Sequence, residues 1–204
     1  MRKPPNDSDQ IWVTHFDDEG LEDFYEKFME LENDPSISII SIIVSSYGGD
    51  VAIMNSMRDL IKSSHKPVST LALGKAMSAG ICLLASGTKG YRFAAPNSSL
   101  MFHEVSTMHH GKATDLETSS LNTTQINKLL IRNFAHDTDN TVKEIENEMH
   151  ARGNSDWFLT PQEALNWGII DQIAIPRVVT QHSPSTLAIV KTVPKPLSKK
   201  KRKA

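Results

Sequence analysis

The feature that most constrains this chain is the run Ile37-Ser38-Ile39-Ile40-Ser41-Ile42-Ile43-Val44, which leads straight into Tyr47-Gly48-Gly49-Asp50. A stretch so rich in β-branched residues and so nearly continuous in apolar content describes a strand covered on both faces. Such a strand needs helices on either side. The sequence supplies one at once, because Val51 to Lys62 carries helical spacing directly behind the glycine turn.

The arrangement then recurs. Pro67 to Leu73 reads as a strand, Gly74-Lys75-Ala76-Met77-Ser78-Ala79-Gly80 as a turn of small residues, and Ile81 to Ser86 as the start of a helix. Short strands are predicted over Gly90 to Pro96 and Ser99 to His103, and at Ile11 to Thr14. A helix is predicted over Leu21 to Leu31, where Leu21, Phe24, Phe28 and Leu31 recur at three- and four-residue spacings. Strands alternating with helices imply an α/β fold with a mostly parallel sheet. Further on, a long polar helix is expected from Thr114 to Phe134 and another from Thr141 to His150. Thr160-Pro161-Gln162-Glu163 has the cap, proline and N3 glutamate of a capping box. Gly168 ends that helix, and Ile169 to Ile173 reads as the last strand. Three stretches follow: a flexible N-terminus over 1–10, one domain over 11–176, and a disordered tail over 177–204.

Composition narrows the function classes. No run of 18 apolar residues is present, so no membrane-spanning helix is expected, and the N-terminus lacks the apolar stretch of a secretory signal. The single Cys82 lies in Ile81-Cys82-Leu83-Leu84 and reads as a small buried hydrophobe. Together these suggest a reducing, cytoplasmic setting. The net charge of −2 conceals an asymmetry, because seven basic residues and no acidic ones fall in 191–204. The remainder therefore holds 15 basic against 24 acidic residues. The run Lys199-Lys200-Lys201-Arg202-Lys203 reads first as a solvated tail, then as a polyanion contact or a nuclear-import address.

Ser78 is the residue on which chemistry can be built. A hydroxyl at a strand–turn–helix junction stands clear of the sheet, small neighbours let a substrate backbone approach, and unpaired N–H groups of the turn can hold an oxyanion. A lone serine in such a turn is more often structural, as are two glycines after a strand. The order of motifs is more specific. Gly48-Gly49, then Gly74 to Gly80, then Ala95-Pro96-Asn97-Ser98-Ser99-Leu100-Met101-Phe102-His103-Glu104 resembles the Clp protease proteolytic subunit family. That family has Asn-Ser-Pro-Gly-Gly, a Gly-x-Ala-x-Ser-x-Gly turn, and a Pro-Asn-Ser stretch leading to a Met-x-His strand. Asp156 to Ala164 and Gly168-Ile169-Ile170-Asp171 resemble its next segments, and Gly111 to Asp115 its entry to a long "handle" helix.

The resemblance implies the ClpP/crotonase-like fold of repeated β-β-α units with a protruding handle helix. It implies Ser78 as nucleophile, His103 as base, Asp156 as the acid, and the Gly49 and Ala79 amides as the oxyanion hole. Gly48, Gly49 and Glu104 fall beside the substrate. It further implies a serine endopeptidase with no metal and no cofactor of its own, assembled as a homo-oligomer of heptameric rings. Such a chamber would receive peptides or unfolded protein from an AAA+ unfoldase. Other readings are a viral prohead or signal-peptide-type peptidase working without an unfoldase, a non-catalytic ring subunit, and, ranked last, acyl-CoA chemistry on the crotonase branch of the fold.

The residues depart from the family pattern in places. Tyr47 stands where proline is usual, Ser155 where arginine is usual, and Glu104 replaces a glutamine after the histidine. Glu104 puts a carboxylate near the substrate groove and so favours basic side chains there. Lys75 could suggest a Ser–Lys dyad, but a solvated lysine is a poor base. Asp171 is a lesser candidate for the acid, and His109-His110 lack metal-ligand spacing.

Overall fold

The computed structural model describes residues 10–107, 110–153, 156–179 and 186–192. Residues 1–9, His109, Ser155 and the basic run Lys199 to Lys203 lie outside them. The fold is α/β, as the alternating pattern requires. Strands β1 (Gln10–Val13), β2 (Ile40–Ser46), β3 (Val68–Met77), β4 (Arg92–Ala94) and β7 (Gln172–Val179) pair parallel in that order. β2 is buried along nearly its whole length, which is what its continuous apolar run demands.

The central strand β3 is longer than expected. Its first half pairs with β4 through Thr70 to Ala72, and its second half with β5 (Ser99–Phe102) through Lys75 to Met77. Gly74 to Met77 therefore belong to the strand, although the glycines and alanines of the Gly74 to Gly80 segment read as a turn. β5 pairs antiparallel with β6 (Trp157–Leu159), and the sheet forks at β3. β7 is not the last strand. It pairs antiparallel with β8 (Thr186–Thr192), which lies within the stretch expected to be tail.

Helices α1 (Asp18–Asn33) and α2 (Val51–Ser63) bury Phe24, Phe28 and Leu31, and Met54, Met57 and Ile61, respectively. Asp17 and Asp50 cap them by accepting backbone N–H bonds in the first turn. α3 (Ala79–Ala85) is buried throughout, with Cys82 in its interior, and burial pushes the Cys82 thiol well above its ordinary range. α4 (Ala113–Asp137) differs. Its buried residues begin only at Leu130, while Leu116 and Leu121 are exposed. The helix is about 37 Å long, so its N-terminal half protrudes from the body. α5 (Val142–Ala151) and α6 (Pro161–Asn166) each start with a capping box, on Thr141 with Glu144 and on Thr160 with Glu163. Gly168 follows α6 at φ 67°, where a side chain would also strike the Thr138 carbonyl, so glycine is required at that stop.

Candidate active site

Ser78 sits between the end of β3 and the start of α3, at φ 54° and ψ −119°. That backbone conformation is rarely adopted by a residue with a side chain, and holding it costs about 1–3 kcal/mol. Two neighbours impose it. The Ser78 N–H donates to the Met101 carbonyl at 2.8 Å, one residue beyond the Met77–Met101 pair of β3 and β5. On the other side Gly48 is packed so closely that a Cβ there would lie 2.6 Å from the Ser78 Cβ and 3.1 Å from its Oγ. Gly48 also has φ 110°, in the region that favours glycine.

Gly49 is restricted by a different contact. A Cβ on it would meet the Phe16 carbonyl oxygen at 2.6 Å. Phe16 forms a parallel bridge to Gly49, and its carbonyl accepts from the Asp50 N–H at 2.9 Å. The double glycine is thus a close backbone approach on both sides, one toward Ser78 and one toward Phe16. Ala79, next to Ser78, opens α3, so its N–H is one of the helix donors with no intrahelical acceptor.

His103 is delivered by the β5–β6 pair. In that antiparallel register Phe102 lies opposite Trp157 and Met101 opposite Phe158. Continuing it by one residue sets His103 opposite Asp156. The Phe102 ring stacks on Phe134 at 4.2 Å and meets Trp157 edge-on at 6.3 Å, and Trp157 in turn meets Trp167 at 4.8 Å. This aromatic chain ties β5, β6, α4 and the end of α6 together, starting from the residues next to His103 and Asp156 in sequence. The Ser78 hydroxyl donates to His103 Nε2 at 2.8 Å, and His103 Nδ1 donates to Asp156 Oδ1 at 3.3 Å. With Nδ1 carrying the proton, Nε2 is the free acceptor.

The two contacts are unequal. The Asp156 side chain is 51% exposed, against 27% for His103. Glu104 points to the other side, where its Oε1 accepts from the Asn127 amide of α4 at 3.3 Å. Lys75 does not reach the serine. Its ammonium lies 4.2 Å over the Tyr47 ring, a cation–π contact that occupies it. Asp171 is also engaged elsewhere, with Arg92 donating to both of its oxygens. Burial alone would raise the Asp171 carboxyl. The Arg92 side-chain and backbone bonds overcome it and hold the group below its usual range.

Ser78, His103 and Asp156 are thus brought together, with Gly48, Gly49 and Ala79 around the serine and Glu104 adjoining the histidine. Phe16, Met101, Phe102 and Trp157 were not singled out from the sequence, although matching the 101–103 and 156–158 segments as paired strands would have found the last three. Among the described residues no cluster of three or more metal-ligating side chains occurs, and no helix is long and apolar enough to cross a membrane. A family model described as Clp protease matches residues 7–177, well over half of the chain.

Proposed function

The chain belongs to the Clp protease family, a family of peptidases, and from that premise we propose that it is a serine endopeptidase working through Ser78, His103 and Asp156. The observation that carries the proposal is the 2.8 Å bond from the Ser78 hydroxyl to His103 Nε2, made by a serine held at a positive φ. A peptide adds as an extended strand beside Gly48-Gly49, bound mainly through its backbone. Ser78 attacks the scissile carbonyl while His103 Nε2 takes the hydroxyl proton, and Asp156 keeps the imidazole in the required tautomer. The Gly49 and Ala79 N–H groups stabilise the oxyanion, each worth roughly 10²–10³ in rate. His103 then returns its proton to the leaving amine, and water hydrolyses the acyl-enzyme. No step calls for a metal or a cofactor.

The same premise proposes a homo-oligomer of stacked seven-membered rings that encloses the sites and is fed by an AAA+ unfoldase in the cytoplasm. Support comes from α4, whose protruding half exposes Leu116 and Leu121 to the surroundings. The domain itself is proposed to span 11–176, although β7 continues past that bound to Val179 and pairs with β8, and the basic run Lys199 to Lys203 is proposed first as a solvated tail and second as a polyanion contact.

A fluorophosphonate probe tests the chemistry. Adduct mass mapped to Ser78, and lost in both Ser78→Ala and His103→Ala, is the expected result. Absence of an adduct in well-folded assembled protein would sink the proposal and bring the non-catalytic ring subunit forward.

A further inference from the structure

Helices α1 and α2 pack side by side, and their outer surfaces enclose a groove of about 730 Å³. Its floor is apolar. Leu21 and Leu60, both packed against the core, meet there with the half-exposed ring of Tyr25. Its rim is acidic, with Asp18 and Glu22 from α1 and Asp59 from α2. The rim belongs to a wider field, because residues 17–26 hold six acidic side chains and no lysine or arginine.

The cations nearest the groove are committed elsewhere. Arg58 comes within 3.8 Å of Asp59, but its Nε and Nη2 donate to Asp137 at 2.8 and 3.0 Å. Lys62 also pairs with Asp137, and Lys27 pairs with Glu30. Asp18 and Glu22 form no ion pair among the described residues. The surface therefore suits a partner that is apolar on one side and cationic on the other.

We propose that the groove is the docking site for residues 193–204 of this same chain. That segment has both parts in order: Val193-Pro194-Lys195-Pro196-Leu197, then the basic run Lys199 to Lys203. Proline-rich segments enter aromatic-lined grooves at low entropic cost, because their backbone is already restricted. Pro194, Pro196 and Leu197 cover Leu21, Tyr25 and Leu60, and the basic side chains meet Asp18, Glu22 and Asp59. Exposed ion pairs contribute little singly, so the apolar floor and several charges act together. The charges also choose between occupants. The body of a second copy, with 15 basic against 24 acidic residues outside 191–204, carries the same sign as the rim and is repelled. The inference turns the polyanion contact of the basic run into a contact within the chain, and it is independent of the catalytic reading.

The topology permits the reach. β8 runs antiparallel to β7, with Thr192 opposite Ala174, whereas β7, β4 and β3 run parallel. The chain therefore leaves β8 heading for the end of the sheet where β3 begins at Val68, just after α2 closes at Ser63 on the groove wall. In the order β2-β3-β4-β7-β8 that crossing covers four strand spacings, about 19 Å in all. Twelve extended residues span about 37 Å, enough to cross the sheet and run along the groove.

Carbodiimide coupling, which joins lysine amines to carboxylates in direct contact, tests this on the full chain, with coupled peptides identified by mass. Lys199, Lys200, Lys201 and Lys203 should couple to Asp18, Glu22 and Asp59 in preference to the other acidic residues. Yield should fall severalfold in about 1 M salt, where the screening length is about 3 Å, and Glu22→Lys with Asp59→Lys should abolish it. Hydrogen exchange supplies a second readout. Amides in 18–25 and 56–63 should exchange severalfold faster when the five basic residues of 199–203 are changed to glutamine, and likewise in Leu197→Ser. Both variants leave the sequence of the two helices untouched. Coupling of the basic run spread evenly over the acidic surface, or unchanged exchange in α1 and α2, would overturn the docking. So would groove carboxylates that couple chiefly to lysines outside 191–204, which would make the occupant another part of a second copy.

Discussion

Asp156 and Asp171 are fifteen positions apart on either side of α6, and they are held in opposite ways. Asp171 receives the Arg92 Nε, Nη2 and backbone N–H together with the Gly90 N–H, at 2.7 to 3.0 Å. Arg92 itself is almost fully buried and also donates to the Asp137 carbonyl at 2.8 Å. Among the described residues Asp156 has only His103 Nδ1, at 3.3 Å, and half of its side chain faces solvent. The carboxylate with four donors closes the body of the fold. The one with a single long contact stands beside the candidate nucleophile. A group locked from every side can orient nothing but itself, whereas one with a single partner can direct that partner. The weak hold on Asp156 in one chain also leaves room for a neighbouring subunit to tighten it, in keeping with the proposed assembly.

Asparagine at each position should separate the two roles. In Asp156→Asn the shape is kept while the charge that fixes the His103 tautomer is lost, so kcat/KM should fall by about 10²–10⁴ with the unfolding midpoint unchanged. A drop of less than threefold would remove Asp156 from the mechanism. In Asp171→Asn the reverse is expected. The buried Arg92 guanidinium loses its counter-charge, and stability should fall by roughly 3 kcal/mol in urea or thermal unfolding, with the specific activity of the remaining folded protein preserved. If the losses were exchanged, with Asp156→Asn unfolding the protein and Asp171→Asn sparing it, the contrast between the two aspartates would be wrong.

Acid sharpens the same contrast. Asp137, almost wholly buried between Arg58 and Lys62, resembles Asp171: burial would raise its carboxyl, but bonds and charges from Arg58 and Lys62 hold it below the usual range. Both carboxyls are therefore stronger acids in the folded chain than in the unfolded one. Their contribution to stability is complete above the unfolded value of about 3.9 and is lost as pH falls below it through the lower folded values. Unfolding free energy measured by urea should decline steeply between about pH 5 and pH 2, and Asp171→Asn should make that decline shallower. A slope identical in wild type and variant would mean that the Arg92 pair adds nothing to acid sensitivity.

The sequence exposed what is local. The Gly48-Gly49 turn, the Ser78 junction and the capping box at Thr160 each occupy a few consecutive residues whose chemistry dictates their backbone. What stayed hidden depends on partners far along the chain. Arg92 and Asp171 are separated by 79 positions, and neither residue alone signals an ion pair. Gly74 to Met77 read as a turn because they open a segment, Gly74 to Gly80, in which Gly and Ala recur, yet pairing with β5 makes Lys75 to Met77 strand. β8 is rich in β-branched residues (Thr186, Ile189, Val190 and Thr192), but it lies in a segment rich in Ser, Thr and Pro, and its composition does not name β7 as its partner. Asp156 came from resemblance to a family segment; its geometric reason, the Phe102–Trp157 register, is visible only once the two strands are side by side.

A third aspartate gives the smallest effect and the finest division between holding and orienting. Asp50 follows Gly49 directly and caps α2, accepting from the Ala52 N–H at 2.6 Å and the Ile53 N–H at 3.2 Å. Removing that cap in Asp50→Ala should cost about 1 kcal/mol, or about 2–4 °C in Tm for a chain of this size, and Asp50→Asn should recover most of it. Activity should fall little. The glycine turn is held by backbone: the Asp50 N–H still donates to the Phe16 carbonyl in the variant, and Gly48 still packs on Ser78. If Asp50→Ala instead lost more than tenfold in kcat/KM with its fold intact, the Gly48-Gly49 segment would owe its position to the cap carboxylate. Asp50 would then stand with Asp156 as a residue that orients the site, and the close packing of glycine against Ser78 and Phe16 would not be enough to set the turn.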